Sequence, residues 1–320
     1  LLSFYYQGTL PIYLDFNTPV PPEDQARQII AGIAAKHHRI WYSPYGVAID
    51  STLESWLAYN AYPAWQSRLA RNRLALYGSS AATDRHEILN TTFADSQGRE
   101  LILVSAALPG EAIAAGDLLP LMFTWQATAG LERDYQLSLR LNNGRGDTFA
   151  QSDWPPLAAS GRTSTWTPGQ PVPDRRALWL PADVPPGDYT LQLVVYDLAS
   201  GQSLGRPATL SRIEVKAAET VVPLRALSIP NPTQRRVGGL TLVGYALPES
   251  VRPGEEMWLW LYWQTTGGQL PAPGSVIRLK LASEGEGISA DFLLADSVGS
   301  FDAWQPGQVR RAVHHLPTSP

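Results

Sequence analysis

The apolar positions of this chain change period once. In "PPEDQARQIIAGIAAKHH", residues 21–38, Ala26, Ile29, Ile30, Ile33 and Ala34 fall on one face at helical spacing. Pro22, Glu23 and Asp24 suit the first turn of that helix, and Lys36, His37 and His38 suit the last, where the helix dipole favours positive charge. "STLESWLAY" opens a second helix, with Ser51 as N-cap and Glu54 three residues on as a capping box. Strand-like runs at 10–14, 39–43 and 73–77 surround the two helices. Strand and helix in alternation predict a small α/β module over residues 1–87.

From about residue 90 the helical period gives way to a period of two. Strands are predicted at 100–107, 117–126, 133–141, 147–152, 174–180, 188–196 and 208–215, separated by Gly, Pro and Asn turns. In "PPGDYTLQLVVYD", Tyr189, Leu191, Leu193 and Val195 point one way while Thr190 and Gln192 point the other. Seven short strands of this kind predict an immunoglobulin-like β-sandwich over residues 88–216.

A Pro-containing stretch, 217–236, reads as a linker, and then the pattern restarts. "GGLTLVGYALPESVRPGEEMWLWLYWQTT" matches "GRELILVSAALPGEAIAAGDLLPLMFTWQAT". Trp125 and Trp263, Trp166 and Trp304, and Gly116 and Gly254 are all 138 residues apart. A fixed offset is the signature of two tandem copies of one unit. The second copy is therefore predicted at 237–320. Aligning Leu180-Pro181 with Leu316-Pro317, an offset of 136, leaves it without counterparts of 185–216, so it reads as truncated. The expected fold class is α+β multidomain: a small α/β module followed by two tandem immunoglobulin-like sandwiches, the second incomplete.

Composition adds limits. The 320 residues are 44% apolar, enough to bury proper cores, and Gly and Pro together number 53, well above the usual share of about 12%. Eleven Trp and thirteen Tyr suit sheets. Only 17% of residues are charged and the net charge is -4, which argues against a nucleic-acid surface. The absence of cysteine excludes a disulfide scaffold, a thiolate zinc site and a cysteine nucleophile. No apolar run approaches the roughly 18 residues that span a bilayer. No signal peptide is present either, and because the chain opens on Leu1 rather than Met, further sequence upstream is expected.

No constellation of side chains reads as an active site, so no catalytic residue, metal site or cofactor is assigned. His37-His38 lacks a partner at ligand spacing, and His314-His315 would alternate faces in a strand. Glu23-Asp24 suits a helix start and Glu255-Glu256 follows a Pro-Gly turn. There is no Gly-x-Ser-x-Gly elbow and no phosphate-cradling glycine loop. Asn90-Thr91-Thr92 is a formal glycosylation sequon, a match common by chance.

The aromatic residues are more informative. Met257, Leu259, Leu261 and Trp263 align with Leu119, Leu121, Phe123 and Trp125, and this shared face should be core. The opposite face carries Trp258, Trp260 and Tyr262, where the first copy has Pro120, Met122 and Thr124. The framework does not require this row. It is the candidate contact site, either for another domain or the membrane surface, or for glycan, since neighbours on one strand face lie about 6.5–7 Å apart.

Two groups of phrases carry a family resemblance. "LLSFYYQGTLPIY", "HHRIWYSPYG", "LESWLAYNAY" and "RLALYG" resemble the region after the membrane helices of bacterial membrane glycosyltransferases of the GT-C superfamily, the protein-mannosyltransferase-like group. "TSTWTPGQPVPDRRALWLPADVPPGDYTLQLVVYD" and "LTLVGYALPESVRPGEEMWLWLYWQTT" resemble β-domains appended to some of those enzymes. The resemblance implies a parent enzyme that uses a polyprenyl-phosphate-linked sugar donor on the extracytoplasmic side of the cell membrane, with its catalytic acid in a region outside this chain. This chain would be non-catalytic. Its implied partners are its own membrane domain and a glycan or lipid-linked sugar acceptor. The rival reading is a secreted or surface adhesion module that binds glycan without any transferase.

Overall fold

The computed structural model describes residues 11, 13, 22–43, 52–69, 72–79, 85–94, 98, 100–108, 110–156, 162–252, 254–266, 270–272, 274–281, 288–301 and 304–318. The chain is mostly β-sheet, with several sheets and few helices.

The first unit holds helices α1 (Glu23–Ala34) and α2 (Thr52–Asn60) and strands β1 (Arg39–Tyr42), β2 (Tyr62–Leu69) and β3 (Asn72–Gly78). The sheet order is β1-β3-β2, antiparallel throughout, so the module is α+β rather than a parallel α/β unit. Ala26, Ile30 and Ile33 form the buried face of α1. Its apolar side packs with Leu57 of α2 on Ile40, Ala75 and Tyr77 of the sheet. The helix ends earlier than its charge pattern predicts. Lys36, His37 and His38 lie beyond Ala34, because the backbone there is already turning into β1: Ser79 N–H donates to the His38 carbonyl at 3.1 Å. Ser51 and most of the predicted strand 10–14 lie outside the described residues. Glu54 is buried and hydrogen-bonded to Arg73 on β3, and the expected capping box with Ser51 lies outside the described residues. β2 escaped prediction; its apolar residues are interrupted by Pro63 and Gln66.

The second unit is two sheets packed face to face. One has the order β10-β7-β5-β4, with β4 Arg85–Ala94, β5 Glu100–Leu108, β7 Leu118–Ala127 and β10 Val172–Trp179. The other has the order β6-β12-β11-β8-β9, with β6 Ala112–Ala114, β8 Tyr135–Asn142, β9 Thr148–Trp154, β11 Gly187–Asp197 and β12 Ala208–Lys216. All seven predicted strands are present; β4 and β6 are additional. β4 starts at Arg85, inside the segment assigned to the first module. Burial along β7 alternates at every residue, so Leu119, Leu121, Phe123 and Trp125 enter the core, where they meet Leu137, Leu139 and Leu141 of β8 and Leu191, Leu193 and Val195 of β11.

The third unit repeats the first of these sheets strand for strand. β13 (Asn231–Val237), β14 (Leu240–Ala246), β15 (Glu256–Thr265) and β18 (Val309–Pro317) pair in the order β13-β14-β15-β18, the order of β4-β5-β7-β10. The segment 217–236 is therefore not a plain linker, since it contains most of β13. The second sheet of this unit is the hairpin of β16 (Val276–Leu281) and β17 (Ile288–Leu293), in the place of β8 and β9, followed by the short helix α3 (Leu294–Val298). Among the described residues, β16 pairs with β17 alone, whereas β8 pairs with both β9 and β11. The consequence is visible in burial. The inward side chains of β8 are fully buried, but Ile277 and Leu279 of β16 are only half-buried.

The repeated phrases are one structural device used twice. The Gln126 side-chain amide donates to the Gly169 carbonyl at 2.6 Å, and the Gln264 amide to Gly307 at 2.9 Å. Gly169 N–H closes the same turn on Ala127, and Gly307 N–H on Thr265. Both glycines take positive φ, 78° and 84°, which other residues adopt only with strain. Trp166 and Trp304 plug the core three residues before. Register also corrects the alignment at the end of the repeat. Leu178 pairs with Leu119, and Leu316 with Met257, so Leu316 holds the place of Leu178 and the offset stays at 138 rather than falling to 136.

Candidate functional site at the joint between the copies

β15 and β18 are antiparallel neighbours, so the outer face of this sheet is set by three cross-strand pairs: Trp258 with His315, Trp260 with Val313, and Tyr262 with Arg311. Leu261 and Trp263 point to the opposite side, into the core of the third unit. The aromatic row thus occupies the outer face, and most of it is covered by protein. Trp260 and Val313 pack against the core of the second unit. The Trp260 ring meets Phe149 of β9 edge to face, with centroids 4.9 Å apart. Tyr262 is 6% exposed, under Leu224, Leu227 and Ile229 of the segment before β13. Trp258 lies at the rim and stays 39% exposed.

Arg311 ties the joint together. Its guanidinium lies over the Trp260 ring at 4.9 Å and over Phe149 at 5.4 Å, donates to the Phe149 carbonyl at 2.5 Å, and stands 3.7 Å from the Asp183 carboxylate. Its backbone N–H also donates to the Asp183 carbonyl at 2.8 Å. Burial pushes the Asp183 carboxyl above the usual carboxylate range, and the Arg311 charge pulls it back down. At the rim, His315 Nε2 is 2.6 Å from Asp147 Oδ1 and its Nδ1 is 3.4 Å from Glu256. On the far side, the Gln308 amide donates to the Ala218 carbonyl at 2.6 Å. Sequence reasoning found the aromatic row but missed Arg311, Asp183 and Phe149. The local signal was the pair Arg310-Arg311 within a strand whose inner face is partly apolar, at Ala312 and Leu316.

The same face of the second unit is also a joint. Its β7–β10 outer surface carries Leu118, Ala177 and Trp179, which pack against Tyr62, Ala64, Trp65 and Leu76 of the first module. Arg39 pairs with Asp117 across this contact, and Arg175 donates to the Tyr59 carbonyl. In the second unit both sides supply large residues, Tyr62 and Trp65 from the preceding module and Trp179 from the sheet. In the third unit the sheet itself supplies Trp260 and Tyr262.

The remaining candidates do not come together as chemistry. His314 faces inward, fully buried beside Phe292, and burial, then Arg145 and His315, lower its pKa to about 4, so the ring is neutral. His37 bonds to Tyr13. Glu23 pairs with Arg27 one turn on. Asn90 of the sequon has φ 47° at a bulge in β4. Among the described residues there is no group of three or more His, Asp or Glu placed to hold a metal ion, and no helix is long and apolar enough to cross a membrane.

No protein-family model and no curated protein matches the chain. Solved structures with partial likeness include the Pseudomonas fluorescens alkylpurine DNA glycosylase AlkC bound to DNA containing an abasic site analog. That match is 20% identical over 34% of this chain and 29% of that one, with a TM-score of 0.23. Another is Spo0M, a sporulation control protein from Bacillus subtilis, 15% identical over 66% of this chain and 88% of that one, with a TM-score of 0.22. At such overlap neither likeness carries a functional argument.

Proposed function

We propose that this chain is a stiff, non-catalytic spacer: the extracytoplasmic part of a membrane glycosyltransferase with a polyprenyl-phosphate-linked sugar donor, positioning the acceptor or partner domains. The observation that carries this reading is the repeated joint. Two successive units each turn the same sheet face to the unit before them, and each face is locked by buried aromatic or apolar contacts and ion pairs. Such stacking fixes distance and direction. The resemblance described above supplies the identity of the parent enzyme.

The individual units are read as immunoglobulin-like. Two features support this: the parallel pairing of β6 with the last strand, β12, and the Tyr189 hydroxyl near the start of β11, which donates to the Pro185 carbonyl at 2.9 Å as a tyrosine corner does. Two measurements test the proposal. The purified chain, incubated with a radiolabelled polyprenyl-phosphate sugar, is expected to transfer none, and turnover would place catalysis within it. The coding sequence upstream of Leu1 is expected to specify several membrane-spanning helices; a signal peptide directly before Leu1 would favour the adhesion module instead.

A further inference from the structure

Strand register makes the inner faces of the second and third units comparable residue by residue. Leu242 and Tyr245 of β14 stand opposite Trp263 and Leu261, as Leu103 and Ala106 of β5 stand opposite Trp125 and Phe123. Leu259 of β15 pairs with His314 as Leu121 of β7 pairs with Arg176. Ile277 and Leu279 of β16 hold the places of Leu139 and Leu141 at the 138-residue offset. The five residues of the second unit, Leu103, Ala106, Leu121, Leu139 and Leu141, are each 0% exposed, whereas all five counterparts are only half-buried. In the second unit Leu191, Leu193 and Val195 of β11 enter this part of the core. Among the described residues no strand takes that place beside β16. We infer that this open face is a strand-acceptor site, and that its occupant is an extended peptide strand with the chemistry of β11, antiparallel to β16.

Three features define the occupant. The first is the backbone. β8 is paired along both edges, by β9 and β11, while β16 is paired along one. The other edge of β16 therefore offers N–H and C=O groups that an incoming strand can satisfy, the usual basis of recognition by strand addition.

The second is the apolar row. In the second unit Leu193 pairs with Leu139 and Leu191 with Leu141. Carried onto β16, the same register sets Leu193 opposite Ile277 and Leu191 opposite Leu279. An occupant with apolar residues at alternate positions thus covers the half-buried row, and one without them leaves it open.

The third is charge. Between the apolar positions the edge carries Arg278 and Lys280, both exposed, with Arg278 already paired to Asp291 of β17. The occupant has to be neutral or acidic opposite them, and β11 places Gln192 and Thr190 there. A second copy of this chain does not meet that condition through its own β16. Setting Ile277 opposite Leu279 puts Arg278 opposite Arg278 of the second copy, and setting Leu279 opposite itself puts Arg278 opposite Lys280. Like charges directly opposite one another disfavour both pairings.

The test adds a synthetic peptide of residues 187–197, GDYTLQLVVYD, to the whole chain and follows amide hydrogen exchange by mass spectrometry. Saturable binding is expected, with exchange in 276–281 slowed about tenfold or more at saturation. A peptide carrying Leu191→Asp and Leu193→Asp should leave that segment unchanged, because it keeps the backbone but cannot cover the apolar row. The chain itself is unaltered in both arms, so its folding is not in question. Four results would overturn the assignment: no protection of 276–281 by the native peptide, equal protection by the substituted one, protection confined to the β4 or β9 edge, or self-association of the chain that by itself protects 276–281.

Discussion

Replacing Arg311 with methionine tests the joint between the copies most directly. The substitution keeps length and apolar contact with Trp260 and Phe149 but removes the charge. Three effects act together. The cation–π contribution is lost, on the order of 1–2 kcal/mol for a largely buried cation, and methionine's own contacts with the rings return part of it, roughly 0.3–1.5 kcal/mol. The bond to the Phe149 carbonyl disappears. Most important, Asp183 loses its counter-charge while remaining buried. Breaking a buried pair from one side costs about 3–5 kcal/mol. A net loss of about 3 kcal/mol at pH 7 is expected, read as a lower urea midpoint for the third unit and a second transition separating it from the rest of the chain. The sign of the pH dependence follows from Asp183. Burial raises its pKa and Arg311 opposes that rise. Without Arg311 the folded-state pKa climbs further above the unfolded value, so the variant's folded state takes up a proton more readily as pH falls. The gap between variant and wild type should therefore narrow toward acid pH. Asp183→Asn in the Arg311→Met background should recover about half the loss. A variant within about 0.5 kcal/mol of wild type, or strict additivity with Asp183→Asn, would show that the joint does not depend on this pair.

Other expectations follow from single features. His314 has its pKa lowered to about 4 from 6.5, so the unfolded chain binds a proton that the folded chain refuses, and stability should fall with pH between 6.5 and 4, by roughly 3 kcal/mol in all at about 1.4 kcal/mol per unit. His314→Leu should abolish that slope, and unfolding midpoints of the two proteins that run parallel from pH 7 to 4.5 would refute the assignment. Gly169→Ala meets no atom within 4 Å but forces alanine to φ 78°, so it should cost about 1–2 kcal/mol from backbone strain alone, measurable as a lower thermal midpoint. Fusing a second copy of residues 183–216 behind Pro320 should offer β16 the partner that β11 gives β8. Completing the burial of Ile277 and Leu279 is worth roughly 2 kcal/mol, and proteolysis within 276–301 should slow. Unchanged cleavage would mean that the β16 edge is not the strand-accepting counterpart of β8.

Much of the fold was legible because the signals were redundant. In the second unit, two-residue alternation, turn residues and the 138-residue echo all pointed to the same strands, and even the hydrogen-bonded Gln–Gly turn left a trace as a repeated phrase. Where only one signal was available, reading failed. The Lys36-His37-His38 cluster fits a helix end on charge alone, but pairing of β1 with β3 had already drawn that backbone out of the helix. The segment 217–236 looked like a linker because β13 is solvent-facing along nearly its whole length and so lacks an apolar stripe. In each case a long-range partner outweighed a local preference, and such a partner has no local spelling.

The candidate site was half legible for a related reason. A repeat supplies its own control: residues common to both copies are needed by the framework, and residues that differ answer to something else. That comparison isolates Trp258, Trp260 and Tyr262 without any knowledge of what covers them. It cannot find the other half of the joint, because Phe149, Asp147 and Asp183 lie on β9 and in loops of the preceding unit, far in sequence from the row they meet. The first joint uses the same face with other side chains. There Tyr62 and Trp65 come from the module, and the repeat meets them with Leu118, Ala177 and Trp179. One sheet face thus serves as the docking surface in both copies, and what varies is the set of side chains that fills the contact. This arrangement lets a common framework join unlike neighbours at a fixed direction, since strand register sets the angle and only the side chains of the contact need to change.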